Sequence, residues 1–491
     1  MLAIVVVAWG VGGCKTPAAT HSDTAAPPAD TVRIEEMTAL LDAIEEAKAR
    51  GTLAALQAEL EKAAEGRDPW SVTKAAWAQM PTDADAAWNR LHEVTVVDGD
   101  RGPPSYWAHL GMAEVYIRWK VFDQAEAQIA AAEKIAPGLW PARAARGALA
   151  AAQGHTEEAQ AHDAAALEAA GGPGKAPRVA MALARLKLAD GDADGARALV
   201  EGVLEARPKR ADALLLAAEL AEGDPAAQAA YLKRALALAP ENLELRERLA
   251  RALDAAGDPK GALEAWRQVA HGAPLKVQAW REQARLARVV GDEAAEREAL
   301  EHVAQLANQD VESLRRLAEL QLAADEPVEA EETLSRLIER ARKDVPARLA
   351  RGKLRVEAQD YRGALEDFRV AEAQGSEEAA EARKKLEAEL GFPGRVIEGK
   401  NPDQVYRRVA SVLFEVYSKR LEEMPRLGGM LSIRVEVEGG RVVHAEIEED
   451  TLHDPALEAV AWWTLMDARF PKRKGRQEYT LPFEFTPPNG K

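Results

Sequence analysis

Ile34, Met37, Leu41 and Ile44 fall three or four residues apart, the spacing of one apolar helix face. Further along, small residues take over the pattern. They recur as pairs twelve apart: Ala113 with Ala125, Gly147 with Ala159, Ala184 with Ala196, Ala217 with Ala229, and Ala250 with Ala262. Ala284, then Ala318 with Ala330, then Gly352 with Ala364 continue the series. The first members stand 34, 37, 33, 33, 34, 34 and 34 residues apart, and Glu296 breaks the second position once. A large residue usually follows four places later: Ile129, Val200, Trp266, Leu300, Leu334 and Phe368. Gly154, Gly191, Gly257, Gly291 or Asp325 marks a turn inside the unit, and Pro137, Pro208, Pro240 and Pro274 close units. The spacing predicts stacked helical hairpins. Two helices cross closely only where their contact residues are small, and proline ends the second helix because it cannot continue it. Each hairpin can bury its apolar face only against its neighbours.

These residues resemble the tetratricopeptide (TPR) repeat, and about eight copies cover 105–390. The resemblance implies an all-α superhelical solenoid whose concave face binds extended peptides through the first helix of each repeat. Counting the first small residue as position 8, positions 2, 5, 9 and 12 face inward. Position 9 supplies Arg185, Arg251, Arg285 and Lys353, and positions 5 and 12 add Arg281, Arg288 and Arg315. Glu247 stands one turn from Arg251, and Glu319 one turn from Arg315. Arg281, Arg285 and Arg288 are read as sharing a face with no acid on it. An acidic peptide or a C-terminal carboxylate would meet that face with bidentate hydrogen bonds; acids of neighbouring repeats would neutralise it instead. The insertion GGPGKAP (171–177) lacks the spacing and the Ser or Thr of a phosphate-binding loop.

Residues 33–100 read as a helical N-terminal cap. Asp68-Pro69 opens a helix as N-cap and first residue, and Trp70, Trp77 and Trp88 follow to pack it on the solenoid. Residues 94–104 read as a turn-rich linker. At 395–491 the pattern changes. Asn401-Pro402 opens a helix to about Met424. MLSIRVEVE (430–438) alternates with Ile433, Val435 and Val437 on one face, Gly439-Gly440 is a two-residue hairpin signal, and RVVHAEIEE (441–449) alternates through Val443, Ala445 and Ile447. Asp454-Pro455 opens another helix, and YTLPFEF (479–485) reads as a last strand. The predicted order is α-β-β-α-β, a small α+β domain. Tyr417, Leu421, Pro425, Leu427, Gly440-Arg441-Val442, Leu452, Asp454 to Glu458, Arg469-Phe470-Pro471 and Leu481 to Phe485 resemble the TonB-like C-terminal domain of the AgmX/PglI group of gliding-motility proteins. That group commonly carries two cysteines where this chain has Val416 and Val460, so the resemblance implies an apolar contact here in place of sulfur chemistry. Pro482 cannot donate to a ladder, which makes the last strand an edge that either accepts a partner strand or blocks one. KRKGR (472–476) reads as a solvated turn.

At the other end, LAIVVVAW (2–9) is an unbroken apolar run, too short to span a bilayer and of the length of a signal-peptide core. Val11-Gly12-Gly13-Cys14 resembles a bacterial lipobox. The resemblance implies that 1–14 is a lipoprotein signal peptide with its cysteine, that Cys14 is acylated, and that the peptide before it is removed. No Lys or Arg precedes the run, which leaves open a start upstream of Met1. Residues 15–32 are rich in Pro, Ala and Thr and read as a disordered tether. Lys15, rather than Asp, points by the enteric sorting rule to the outer membrane, facing the periplasm.

Composition narrows the function. The formal net charge of −17 argues against nucleic acid as a partner, and Cys14 is the only cysteine of 491 residues, so no disulfide framework exists. His92-Glu93 lacks the second histidine of a zinc-protease motif, and no G-x-S-x-G occurs. The sequence therefore predicts no enzyme, no cofactor and no metal. It predicts a cell-envelope lipoprotein that scaffolds proteins, one partner in the solenoid groove and a second at the end domain. An outer-membrane assembly or gliding-machinery factor, and an envelope hydrolase with an unrecognised site, are the alternatives.

Overall fold

The computed structural model describes residues 32–307 and 309–487. Cys14, the signal and lipobox, and the tether up to residue 31 lie outside the described residues. The chain divides into two compact units, Met1–Asp258 and Pro259–Lys491.

The first unit begins with α1 (Ile34–Ala49), α2 (Leu53–Ala64), α3 (Pro69–Gln79) and α4 (Ala84–Asp98). Hairpins follow: α5 (Pro103–Arg118) with α6 (Phe122–Ile135), α7 (Trp140–Gln153) with α8 (Thr156–Ala170), α9 (Pro177–Ala189) with α10 (Ala193–Ala206), and α11 (Ala211–Leu220) with α12 (Pro225–Leu236). The unit closes with α13 (Leu243–Ala255). The 94–104 stretch is mostly not a linker. Val94 and Thr95 are buried, so α4 continues to Asp98, Gly99 caps it in the left-handed region, and α5 starts at Pro103. Trp70 and Trp77 share one core with α1, and Trp88 packs partly buried against it, as packing of a cap requires; Trp107 joins the same core.

The second unit runs through α14 (Pro259–Gly272), α15 (Val277–Val290) with α16 (Glu293–Leu306), α17 (Val311–Ala323) with α18 (Pro327–Arg340), α19 (Val345–Glu357) with α20 (Tyr361–Ala373), and α21 (Glu377–Leu390). The end domain follows as α22 (Pro402–Glu423), β1 (Gly429–Glu438), β2 (Arg441–Asp450), α23 (Pro455–Asp467) and β3 (Arg476–Phe485). No helix of the described residues is long and apolar enough to cross a membrane.

In both units the small pairs do what close crossing demands. Ala113, Ala125, Ala159, Ala184, Ala196, Ala250, Ala262 and Ala330 are buried at helix contacts, and Ile129, Val200, Trp266, Leu300, Leu334 and Phe368 fill the space behind them. Burying one such large side chain contributes roughly 1.5–3 kcal/mol. Glu296 is also buried. Its carboxylate is met in bidentate fashion by Arg316 of the next hairpin, at 2.7 and 3.0 Å. The turn between the helices of a hairpin takes one residue at positive φ in every hairpin but α11–α12. Gly154, Gly191, Gly291 and Asp325 fill it, and so do Lys120 (φ 60°) and Gln359 (φ 62°), which have a Cβ.

The end-domain sheet is antiparallel in the order β2-β1-β3. Gly439 and Gly440, both at positive φ, form the two-residue turn between β1 and β2. Ile433, Val435 and Val437 are buried as the alternation predicts, but Val443 is exposed and Val442 is buried. Val437 pairs with Val442 while Glu436 pairs with His444, so Val443 is the extra residue of a bulge. A one-residue slip moves a side chain to the other face. Val416 and Val460 are both buried in the domain core.

The end domain is not separate from the repeats that precede it. Ala459 of α23 joins the core of Ala364, Leu365, Phe368 and Leu386. Arg369 bridges Asp467 at 2.8 Å and lies over the Trp463 ring, and Trp463 donates to the Arg362 carbonyl.

Candidate functional site

The expected basic stripe is resolved residue by residue. Arg185 on α9 is exposed and makes no ion pair among the described residues. Arg251 on α13 pairs with Glu247, one turn away on the same helix. In the second unit, Arg281, Arg285 and Arg288 are all exposed on α15. The expectation of no acid on that face needs correction. Arg285 meets Glu282 at 2.8 Å, and Arg281 reaches Asp310 of the next hairpin at 2.8 Å. Arg288 makes no ion pair among the described residues. Arg315 meets Asp344 rather than Glu319, at 2.6 Å, because Arg316 takes Glu319. Lys353 meets Glu378 at 2.7 Å.

Two of these pairs share a device. Asp310 and Asp344 are the N-caps of α17 and α19, and each accepts from its own helix at Ser313 N and Ala347 N. Each also accepts an arginine from 29 residues earlier. The cap carboxylate is thus fixed by backbone N–H groups before the arginine arrives, and it sits at the positive end of the helix dipole. The Arg281 partner, Asp310, is held below the usual carboxylate range by the Ser313 and Arg281 hydrogen bonds, which outweigh desolvation. The arginine side chains stay 45% and 43% exposed, so their heads remain available to a partner.

A second feature lies wholly in the first unit. A cavity of about 550 Å³ opens among α1, α5, α7 and α9, with Leu41, Trp107, Leu110 and Trp140 in its wall. The helix α1 closes one side of it. The carbonyl of Val32, just before α1, accepts from Trp107 Nε1, and Asp42 holds both Arg207 and Arg210. Glu114 in the wall is met by Arg118 and Arg178. Asp163 of α8 also reaches the wall. It is 3% exposed and has no hydrogen bond or ion pair among the described residues. Burial pushes its carboxyl up to about 7. Asp163 is not among the site residues that the motifs single out. Its signal was the repeat itself: this is the place, four past Ala159, that six of the other repeats give to a large apolar residue.

At the end domain, Pro482 stands in the middle of β3, paired with Ser432. Its carbonyl accepts from the Tyr406 hydroxyl at 2.6 Å. With no N–H and its carbonyl taken, the outer side of β3 is interrupted at that point. The outer side of β2 is bridged only near its start, at Arg441 by Arg469, among the described residues. KRKGR is exposed.

No protein-family model matches the chain, and no curated protein matches it. Among solved structures it is similar to a tetratricopeptide repeat protein from Parabacteroides merdae, at 16% identity over 50% of this chain and 96% of that one, with a TM-score of 0.30. It is similar to pilF of Pseudomonas aeruginosa, at 17% identity over 44% and 97%, with a TM-score of 0.32. It is also similar to YrrB, described as a TPR protein with an unusual peptide-binding site, at 14% identity over 38% and 97%, with a TM-score of 0.29. Likenesses of this size say nothing about what this chain binds.

Proposed function

We propose that this chain is a protein-interaction scaffold of the bacterial cell envelope, tethered to the outer membrane through lipid on Cys14 and facing the periplasm. The observation that carries the scaffold reading is the row of exposed cations on α15, α17 and α19. Arg281 and Arg315 are each braced by a cap carboxylate but leave their outer edge open, and Arg288 is uncommitted. An extended acidic segment laid along these helices would share those guanidinium groups through charge-assisted hydrogen bonds. The test is fluorescence anisotropy with acidic peptides at low and high salt. Binding that weakens with salt and disappears in an Arg281→Ala, Arg285→Ala, Arg288→Ala chain supports the reading; equal binding by that chain rejects it.

The second partner is assigned to the end domain, on the outer side of β2, because β3 is interrupted at Pro482. Truncation at Leu390 would not isolate this site, since it also strips α23 from α20. A photo-crosslinker at Val443 on β2, compared with one at Glu484 on β3, separates the two edges in the native cell. Capture at Val443 and not at Glu484 is expected. The lipid anchor is tested by labelled palmitate, which Cys14→Ser should leave unincorporated.

A further inference from the structure

We infer that the cavity among α1, α5, α7 and α9 binds an amphiphilic amine, with Asp163 receiving the ammonium group and the tryptophan-bearing wall receiving the apolar body. This stands independently of the groove reading.

The repeat geometry places a core side chain at position 163, and the chain puts a carboxylate there. A carboxylate taken out of water needs a compensating charge or hydrogen bonds. Asp163 has neither among the described residues. The backbone is arranged to admit it: a Cβ on Gly147 would lie 2.3 Å from Asp163 Oδ1. The other acids of the wall are already committed, Asp42 to Arg207 and Arg210, and Glu114 to Arg118 and Arg178. That leaves Asp163 as the uncommitted negative group of the wall. Arg185 also makes no ion pair there among the described residues, but it is exposed and water satisfies it, so it makes no comparable demand for an anion. The volume falls within the range of small-molecule sites, and such sites pair mostly apolar walls with a few polar groups. Trp107 and Trp140 offer aromatic surface for the alkyl chain and for the edge of the cation. An ammonium at Asp163 would lift the penalty of burial and return the carboxyl to its ionised form.

The same group arrives on a free amphiphile or on a lysine side chain of a partner. Calorimetric titration of the full chain at pH 8 and moderate salt distinguishes them. Octylamine should saturate a single site and bind at least about tenfold more tightly than octanol or octanoate, the ratio expected for a charge-assisted bond. Asp163→Asn, which keeps the shape, should abolish that preference. Gly147→Ala, which displaces the carboxylate, should weaken it. Far-UV circular dichroism and thermal unfolding check that both variants fold. Displacement of octylamine by acetyl-Leu-Lys-Leu-amide, but not by its norleucine analogue, would assign the amine to a partner's lysine. Binding of octylamine alone would assign a free amphiphile. Failure of octylamine to saturate at millimolar concentration, equal affinity for octanol, or unchanged binding by Asp163→Asn would each overturn the inference.

Discussion

Asp163 in the first unit and Asp367 in the second are both buried, and they could hardly be surrounded more differently. Asp367 is fully buried and faces Arg348, Arg351 and Arg355 along one side of α19, at 2.9, 2.7 and 3.1 Å. Arg355 is shared with Glu331 and Asp360, so the charges of the cluster balance. Asp163 has no such company, and burial alone acts on it. The neighbouring glycines sharpen the contrast. Gly352 makes room for the Phe368 ring, which a Cβ would approach to 2.5 Å, and Gly147 makes room for the Asp163 carboxylate. The same backbone concession serves packing in one repeat and an unpartnered charge in the other. A buried acid surrounded by arginines belongs to the fold, whereas one left alone beside a cavity is waiting for something.

The largest effect should come from breaking the satisfied site. Asp367→Ala leaves three arginines without their shared acceptor, and loss of about 3–5 kcal/mol is expected in denaturant unfolding. Next is the opposite change at the lonely site. Asp163→Leu restores the repeat pattern and should stabilise the chain by about 2 kcal/mol at pH 8. The sign follows from the proton. Folding raises the Asp163 pKa from its ordinary value to about 7, so the folded state holds the proton more tightly. No penalty exists below the ordinary carboxyl range; it builds as pH rises through 4 to 7 and is constant above. The gain of Asp163→Leu over the parent should therefore shrink toward pH 4. The other acids of the wall, Asp42 and Glu114, and the His162–Glu158 pair on α8 are the same in both chains.

Gly352→Ala is expected to cost about 1–3 kcal/mol, because the Phe368 ring is packed and cannot step aside. Gly147→Ala should cost less, because only a short carboxylate must turn. The smallest effect lies at the turns. Lys120→Gly and Gln359→Gly should each add about 1 kcal/mol, by removing a Cβ from the left-handed region, and thermal unfolding would register each.

Local chemistry was legible in the sequence, and assembly was not. Asp68, Asn401 and Asp454 accept from the third residue of their helices, as the Asx-Pro pairs predict. The small pairs, the mid-repeat turns and the Gly439-Gly440 hairpin depend on neighbours close in sequence, and those are written in order. Val443 was misplaced because a bulge inserts one residue without a sequence mark as strong as the alternation it breaks. Arg315 was assigned to Glu319 because helix spacing reveals partners one turn away, while Asp344 lies in the next hairpin. The docking of α23 on α20 rests on Trp463 and Arg369, ordinary residues until the fold brings them together. Asp163 was visible as an exception to the repeat, but an acid in an acidic, Ala-rich chain draws little notice.

The placement of α1 has a consequence for how the first unit comes apart. A stack in which each hairpin touches only its neighbours can fray from either end, one repeat at a time. Asp42, however, holds Arg207 and Arg210 across 165 and 168 residues of sequence. That tie converts the stack into a loop closed on itself, so an inner hairpin cannot leave without releasing the first helix. The hairpins between α1 and α11 should exchange their amide protons together, as one cooperative block, and should regain independent rates once Asp42 no longer binds the two arginines.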